Sequence, residues 1–223
     1  MVSASACPRA KRRDGQLCRD RALALSKPAL SVSRDRASAL SKTDRPKGLS
    51  LRLFYTSFRA AIGLVHVVWG PRGLLFISFP DTEERSFLEG VGERFGAVPI
   101  KGDIPPGGAK GLLERYFSGE RVSFSNVPLG LVCGTAFQQD VWRKLMEIPY
   151  GEVRSYGWVA REIGRPGAVR AAGGACGQNP LPPIVPCHRV VGSRGELTGY
   201  SGPGGISLKK RLLELERAAI HAR

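Results

Sequence analysis

The spacing of hydrophobic residues changes along the chain, and the changes predict two kinds of structure. The segments LRLFYTSF, from residue 51, and IGLVHVVWGPRGLLFISF, from residue 62, predict strands joined by a turn at 70–73. Helical spacing follows at 82–96 and at 109–119, and a Gly- and Pro-rich loop at 101–108 separates the two helices. Residues 122–132 predict another strand. These elements predict a small α/β domain over residues 51–133.

From Gly134 onward the pattern is mostly helical. Thr135 can cap a helix over 136–148, whose apolar residues recur at helical spacing. Two short helices at 155–164 and 168–179 flank a tight turn, which is the outline of a helix-turn-helix. We therefore predict a mixed α+β fold class, in which residues 134–223 form a mostly helical, winged helix-turn-helix-type domain.

The second of these short helices has an unusual composition. Residues 171–175 read AAGGA, and Arg170 is the one long side chain beside them. A core helix would be richer in leucine, and each glycine costs about 1 kcal/mol relative to alanine. The small residues fit either tight packing against another helix or a thin wedge that enters a narrow groove with one arginine.

Residues 1–50 differ from the rest, since they contain no aromatic residue and 12 Lys and Arg against 4 Asp, a net charge of +8. RDRALALSK at 19–27 recurs as RDRASALSK at 34–42. We interpret the segment as a disordered basic arm, an organelle-targeting segment, or sequence upstream of the true start. The protein is expected in the cytoplasm of a prokaryote, or in a nucleus or organelle if the arm is a targeting segment.

The charge and cysteine content limit the classes of partner and compartment that fit this chain. The net charge is +15, of which +7 remains after residue 50, because 22 Lys and Arg there face 15 Asp and Glu. A basic globular part favours a polyanion such as DNA. Five cysteines without paired spacing indicate a reducing compartment. We expect no metal, no cofactor, no membrane span and a monomer.

The stretch PPIVPCHRVVG at 182–192 places a possible nucleophile, Cys187, in an apolar run. A thiol reacts as thiolate and needs a base. In an extended segment His188 would point to the opposite face, so one water would have to carry the proton. Glu216 shares a helical face with Leu212 in the segment 207–220, so it could orient His188. Alternatively, Glu216 is a boundary residue whose partner is a lysine or an arginine.

Three segments together resemble the O6-alkylguanine-DNA alkyltransferases, also called methylated-DNA–protein-cysteine methyltransferases. They are IPYGEVRSYGWVAREIG, RAAGGACGQNP and IVPCHRVVGSRGELTGYSG, and PCHR is highly specific to that family. The resemblance runs from about Gly134 to Glu216. Residues 51–133 resemble the family's first domain only in layout, which implies a ribonuclease-H-like arrangement there.

The resemblance implies a repair protein that flips O6-alkylguanine, and O4-alkylthymine, out of duplex DNA. The alkyl group moves irreversibly to Cys187, so each molecule acts once. His188 and Glu216 would form the relay, and Asn179 would brace the loop that carries Cys187. The remaining implied site residues are Tyr156, Arg170, Ala171 and Gly173 for DNA binding and flipping, and Tyr200, Ser201 and Val190 for the guanine pocket.

The sequence departs from the family's pattern after Tyr200. The stretch YSGPGGISLKK carries about two extra residues and Pro203, which puts the preferred alkyl size in doubt. The zinc ligands of some family members have no match here. Three alternatives remain open: a lesion binder without transfer, a helix-turn-helix regulator, and a cysteine hydrolase. The intact PCHR weighs against the lesion binder. The lack of base-reading side chains at 171–177 weighs against the regulator, and the adjacent Cys and His are poor geometry for the dyad of a hydrolase.

Overall fold

The computed structural model describes residues 52–131, 134–197 and 204–216. All of them belong to one compact unit, Thr43–Arg223. Its strands are β1 (Phe54–Ala60), β2 (Gly63–Gly70), β3 (Gly73–Ser78), β4 (Ile100–Lys101), β5 (Arg154–Ser155) and β6 (Val190–Val191). Its α-helices are α1 (Glu84–Phe95), α2 (Ala109–Phe117), α3 (Ala136–Leu145), α4 (Tyr156–Glu162), α5 (Val169–Gly177) and α6 (Gly205–Leu215).

The first half is built on a four-stranded sheet in the order β3-β2-β1-β4. The pairs β1–β2 and β2–β3 are antiparallel, and β4 joins β1 in parallel. Pro71 and Arg72 form the turn between β2 and β3, as the sequence predicted. The predicted loop at 101–108 is partly wrong, because Lys101 lies in β4 and Pro106–Gly108 form a 3-10 turn.

The strand predicted at 122–132 is also wrong over residues 122–131; Val132 lies outside the described residues. This segment is irregular and makes one isolated bridge, between Leu129 and Leu74. Pro128 has no N–H to donate to a sheet, although its carbonyl accepts a hydrogen bond from the Leu74 N–H at 2.8 Å. Gly130 lies so close to β3 that a Cβ there would stand 2.8 Å from the Leu75 side chain.

The sheet separates two hydrophobic clusters. One face packs against α1, where Tyr55 and Val68 meet Phe87 and Val91. The other face belongs to a larger cluster that extends from the strands through α2 to the helices of the second half. The core is therefore continuous between residues 52–131 and 134–216. The division into domains at residue 133 stays a prediction.

The second half forms the helices that the sequence predicted. Thr135 and Gln138 make a reciprocal capping box at the start of α3. Ser155 caps α4, and its side chain accepts a hydrogen bond from the Trp158 N–H at 3.1 Å. The parallel pair of β5 with β6 joins Arg154 to Val190 and Ser155 to Val191. This pairing fixes the start of α4 beside the segment that follows Cys187.

Candidate active site

Cys187 lies at the start of a 3-10 turn, Cys187–Arg189, and its side chain is buried. The predicted extended conformation is therefore wrong at this position. The Cys187 N–H donates to the Val185 carbonyl at 2.9 Å, and the Arg189 N–H donates to the Pro186 carbonyl at 3.0 Å. These two bonds coil the backbone, so an alternation of side chains on opposite faces does not apply to Cys187 and His188.

Asn179 braces the loop that carries the thiol. Its Nδ2 donates to the Val185 carbonyl at 2.6 Å and to the Cys187 Sγ at 3.1 Å. Its Oδ1 accepts from the Leu181 N–H at 3.0 Å. One amide thus holds both the backbone before Cys187 and the sulfur itself, with its donor group turned toward a developing thiolate.

Burial raises the pKa of the Cys187 thiol above its ordinary value. The Asn179 hydrogen bond and the positive charge of Lys209 act in the opposite direction and lower that pKa. The resting sulfur is therefore a protonated thiol surrounded by groups that favour its anion. Such a sulfur needs a base at the moment of reaction.

His188 is fully buried, and burial lowers its pKa despite the neighbouring carboxylate. The imidazole is therefore neutral near neutral pH. Its Nε2 lies 2.9 Å from the Glu216 Oε1. Since a carboxylate can only accept, Nε2 carries the proton and Nδ1 is the basic nitrogen. Among the described residues, Nδ1 has no hydrogen-bond partner.

Glu216 ends α6 and is the centre of a buried polar network. Its Oε1 also accepts from the Tyr116 hydroxyl at 2.6 Å and from the Arg189 Nη2 at 2.8 Å. Its Oε2 accepts from the Arg189 Nε at 2.8 Å and from the Gly151 N–H at 3.2 Å. Burial alone would raise the pKa of this carboxyl, but hydrogen bonds from His188 and Arg189 outweigh it and hold the pKa well below the usual range.

Glu216 therefore binds both kinds of partner that the sequence suggested, a histidine and an arginine. The expected boundary position is wrong, because the carboxylate is buried. The sequence reading did not include Arg189, although it is part of the PCHR stretch. It also missed Tyr116, which comes from α2 in the first half. No local pattern at residue 116 indicates this contact, because Tyr116 and Glu216 are 100 residues apart.

Lys209 is the third residue that the sequence reading missed. It lies on α6 with its side chain fully buried. Its Nζ donates to the Val190 carbonyl, and to the Tyr156 hydroxyl at 3.2 Å. Burial lowers its pKa, while the two nearby thiols, Cys176 and Cys187, raise it. The spacing offered a signal: residue 209 precedes Glu216 by seven positions and so shares its helical face.

Tyr156 lies at the start of α4 with its ring buried. Burial raises the pKa of its hydroxyl, and the Cys176 and Cys187 thiols raise it further. The hydroxyl therefore stays protonated and can donate a hydrogen bond. Val190 is buried beside it, and its carbonyl has a second lone pair besides the one that Lys209 engages.

The slim helix α5 divides its small residues between two faces. Ala172, Ala175 and Cys176 are buried, and the Trp142 Nε1 donates to the Ala175 carbonyl at 2.9 Å. Arg170, Ala171 and Gly174 are exposed, and Gly173, which is half-buried, faces the Tyr156 ring. One face thus packs closely on α3 and α4, and the other presents an arginine on a surface with little side-chain bulk.

Two predicted pocket residues, Tyr200 and Ser201, lie outside the described residues. Within the described ranges, no cluster of three or more His, Cys, Asp or Glu side chains could hold a metal ion. The same ranges contain no helix with the length and apolar character needed to cross a membrane.

Comparison with known proteins identifies sequence relatives. Residues 136–218 match the family model described as 6-O-methylguanine DNA methyltransferase, DNA binding domain. A methylated-DNA–protein-cysteine methyltransferase of Mycobacterium tuberculosis is 57% identical over 115 residues, which cover 52% of this chain and 67% of that protein. One of Methanosarcina acetivorans is 40% identical over 169 residues, which cover 74% and 98%.

Solved structures agree with these relatives. The crystal structure of the Mycobacterium tuberculosis O6-methylguanine methyltransferase is 44% identical, with a TM-score of 0.61, and covers 74% of this chain and 93% of its own. A structure of the same organism's protein in complex with DNA is 41% identical, also with a TM-score of 0.61, and covers 75% and 96%. The similarity therefore includes the first half as well as the matched domain.

Proposed function

Because this chain belongs to the methylated-DNA–protein-cysteine methyltransferases, which repair DNA by alkyl transfer, we propose that it moves the alkyl group of O6-alkylguanine irreversibly onto its own Cys187. The observation that carries this proposal is the convergence on one buried sulfur. Asn179 donates an amide hydrogen bond to it, and the positive charge of Lys209 favours its anion. The next residue in the chain, His188, is paired with Glu216. O4-alkylthymine, which presents an alkylated oxygen in the same way, is the second substrate that we expect.

Proton transfer begins at His188. Its Nδ1 takes the thiol proton of Cys187 through one water, and the hydrogen bond to Glu216 stabilises the imidazolium that forms. Cys187 and His188 are consecutive residues of the 3-10 turn, and a water between the two side chains carries the proton. Asn179 and Lys209 favour the thiolate during this step. The thiol, which burial keeps protonated at rest, therefore loses its proton only when His188 accepts it during the reaction.

Alkyl transfer then follows by in-line displacement. The Cys187 sulfur forms a bond to the alkyl carbon as the bond from that carbon to the guanine O6 breaks. The electron pair stays on guanine, where a hydrogen bond from Tyr156 or Tyr200 stabilises the negative charge. The proton that His188 took from the thiol then passes through water to guanine and neutralises it, so His188 is neutral again. The product is a thioether, which no acid–base step reverses, so each molecule acts once.

The target base must leave the duplex first, because its O6 lies inside the helix. We propose that α5 enters the minor groove and that Arg170 fills the space left by the flipped base. The exposed Arg170 on a helix of small residues supports this role. Ala171 and Gly173 allow the close approach. The buried Tyr156 ring would support the phosphate beside the target and border the pocket, with Tyr200, Ser201 and the Val190 backbone around guanine.

The DNA partner and the place of action follow from the family. We expect the protein to bind damaged duplex DNA as a monomer through its basic surface. Its bacterial relatives indicate a cytoplasmic place of action. The +7 charge of residues 51–223 supports a largely electrostatic, weakly sequence-dependent attachment to phosphates.

This function is tested by measuring the guanine that is restored in the DNA. A duplex that contains a single O6-methylguanine is incubated with the protein, with the duplex in molar excess. The DNA is then digested, and its nucleosides are separated by chromatography. We expect one guanine restored per protein molecule, and none with undamaged DNA or with Cys187→Ala. A lesion binder would retard the duplex and leave O6-methylguanine intact. Repeated turnover on one protein molecule would contradict irreversible self-alkylation.

A further inference from the structure

A tyrosine from the first half of the molecule contacts the relay of the second half. Tyr116 lies in the last turn of α2 and is 1% exposed. Its hydroxyl donates to the Glu216 Oε1 at 2.6 Å and lies 3.3 Å from the His188 Nε2. An O–H to carboxylate bond of this length is a strong, charge-assisted one. The contact joins α2 directly to the carboxylate that orients the histidine.

Neighbouring rings fix the position of this hydroxyl. The Tyr116 ring meets the Tyr150 ring edge-on, with centroids 6.2 Å apart. The next residue, Phe117, packs against Phe79 under the sheet at 5.1 Å. The Tyr116 ring is thus packed between the core of the first half and Tyr150 of the second half, which fixes the position of its hydroxyl. Burial and the Glu216 charge raise its pKa well above the ordinary value, so it remains a donor.

We propose that Tyr116 is a positioning residue that sets the proton affinity of His188 by acting through Glu216. The proposal rests on the proposed function, in which His188 takes the proton from Cys187. Tyr116 touches neither the thiol nor the alkyl group in this account. Its effect is on the base, and it makes the first half of the chain part of the reactive centre.

The physical argument concerns one oxygen atom. The Glu216 Oε1 accepts from Tyr116, His188 and Arg189. Each donor withdraws electron density from that oxygen and so weakens its attraction for a proton on the imidazole. Removal of the Tyr116 hydroxyl would leave a more basic carboxylate. The imidazolium would then be better stabilised, and His188 would hold a proton at a higher pH.

The same hydroxyl also selects the tautomer. Its proton is directed to Glu216, so its oxygen faces the His188 Nε2 as an acceptor at 3.3 Å. Two acceptors, the Glu216 carboxylate and the Tyr116 oxygen, therefore surround the Nε2–H. This arrangement keeps the proton on Nε2 and leaves Nδ1 as the basic nitrogen for the thiol side. Because the 3.3 Å contact is much longer than the 2.6 Å bond to Glu216, its loss lowers the pKa of His188 less than the loss of that bond raises it.

Other groups face His188 and act on it as well. Arg189 and Lys209 lower its pKa by their positive charge, after burial, whereas Glu216 raises it. The titratable and charged groups beside the imidazole are Tyr116 from α2, Cys187 and Arg189 from its own turn, and Lys209 and Glu216 from α6. Tyr150, after α3, lies behind the Tyr116 ring. Tyr116→Phe changes one donor in this set and leaves every charge in place.

The experiment compares Tyr116→Phe with the wild-type chain on free O6-benzylguanine, which needs no DNA binding. Rates are measured from pH 5 to pH 9, and the His188 imidazole is titrated by NMR. We expect the acidic limb of the rate profile and the imidazole titration to move together to higher pH, by about half a unit or more. The rate above the new limb should stay near the wild-type value.

Tyr55→Phe is the matched control, since Tyr55 is also a buried tyrosine, and burial together with the Glu84 carboxylate raises the pKa of its hydroxyl. It lies in the cluster on the far side of the sheet. We expect its profile to match the wild type. A uniform rate loss in Tyr116→Phe without a shifted limb, or an unchanged titration, would overturn the positioning role.

His188→Gln separates this inference from the proposed function. If that variant keeps the wild-type rate and pH profile, His188 is not the base, and the proposed relay fails together with the inference. If His188→Gln loses the rate while Tyr116→Phe retains the wild-type profile, the relay stands and only the role of Tyr116 is wrong.

Discussion

At the scale of single residues, the side chain of Glu216 is closed to solvent and, within the described part of the chain, accepts five hydrogen bonds from four residues. Arg189 supplies two of these bonds and the compensating charge. A buried carboxylate with a cation and further donors keeps its negative charge, whereas an unpaired one would take up a proton. The same charge that orients His188 therefore also contributes to folding.

Replacement of this carboxylate should reduce stability and change its pH dependence. Glu216→Gln leaves the Arg189 cation unpaired and should cost roughly 3–5 kcal/mol in urea unfolding at pH 7. The folded pKa of Glu216 lies below its ordinary value of 4.5. Its contribution is therefore complete above that value and is lost as the pH falls through the folded pKa.

The difference in unfolding free energy between wild type and Glu216→Gln should accordingly shrink as the pH is lowered below about 4.5. Glu120→Gln is the control, because Glu120 pairs with Arg115 at the surface. It should change stability little at any pH. A Glu216→Gln variant as stable as the wild type at pH 7 would show that the network does not stabilise the fold.

At the scale of elements, α5 combines a packed face with an exposed face that has little bulk. A Cβ at Gly174 would meet no atom within 4 Å, and the same is true of Gly90 on α1. The two positions are thus equally open in the free protein. They differ only in that α5 is the element proposed to enter DNA.

Gly174→Leu should therefore fold normally and react with free O6-benzylguanine at the wild-type rate. Its reaction with O6-methylguanine in duplex DNA should be at least about tenfold slower, because a bulky side chain prevents close approach in a narrow groove. Gly90→Leu should leave both rates unchanged. Equal rates of Gly174→Leu and Gly90→Leu on the duplex would exclude α5 as the groove-binding helix.

The elements also show what a sequence can reveal. Helix α3 could be predicted because its N-cap, Thr135, and its apolar residues at helical spacing all lie within the same short stretch of sequence. The segment at 122–131 alternates like a strand, but Pro128 and Gly130 let it follow β3 with one bridge only. The thiol turn could not be predicted from residue types, since the Asn179 bonds that hold it come from outside the turn.

The site residues also divide into those that sequence patterns indicate and those that only the tertiary fold brings together. The resemblance located the Cys187 motif and the Asn179 that contacts its sulfur, and the apolar face of the last helix indicated that Glu216 needs a partner. Lys209 was detectable by its spacing from Glu216. Tyr116 was not, because only the tertiary fold brings α2 to α6.

At the scale of the whole molecule, the reactive centre draws on both halves of the chain, while the first 50 residues carry charge without aromatic residues. The described unit holds a continuous core from the sheet to α6. We therefore propose that residues 51–223 carry out alkyl transfer, and we expect the basic arm to add non-specific attraction to DNA or to serve as a targeting segment.

A chain that begins at Leu51 should retain its melting temperature and its rate on free O6-benzylguanine. Its affinity for DNA should be lower at low salt and should fall less steeply with salt, because the removed segment carries a net +8. The full-length chain measured across the same salt series is the control. Loss of folding or of transfer to the free base would place residues 1–50 within the functional fold.

The central claim, that Cys187 receives the alkyl group, is tested most directly by the mass of the protein after reaction. Intact-mass analysis followed by peptide mapping should find one methyl group, on Cys187, after incubation with O6-methylguanine DNA. Cys176→Ala, which removes the neighbouring buried thiol, should still gain one methyl, and Cys187→Ala should gain none. A methyl group on Cys176, or transfer that persists in Cys187→Ala, would contradict the account.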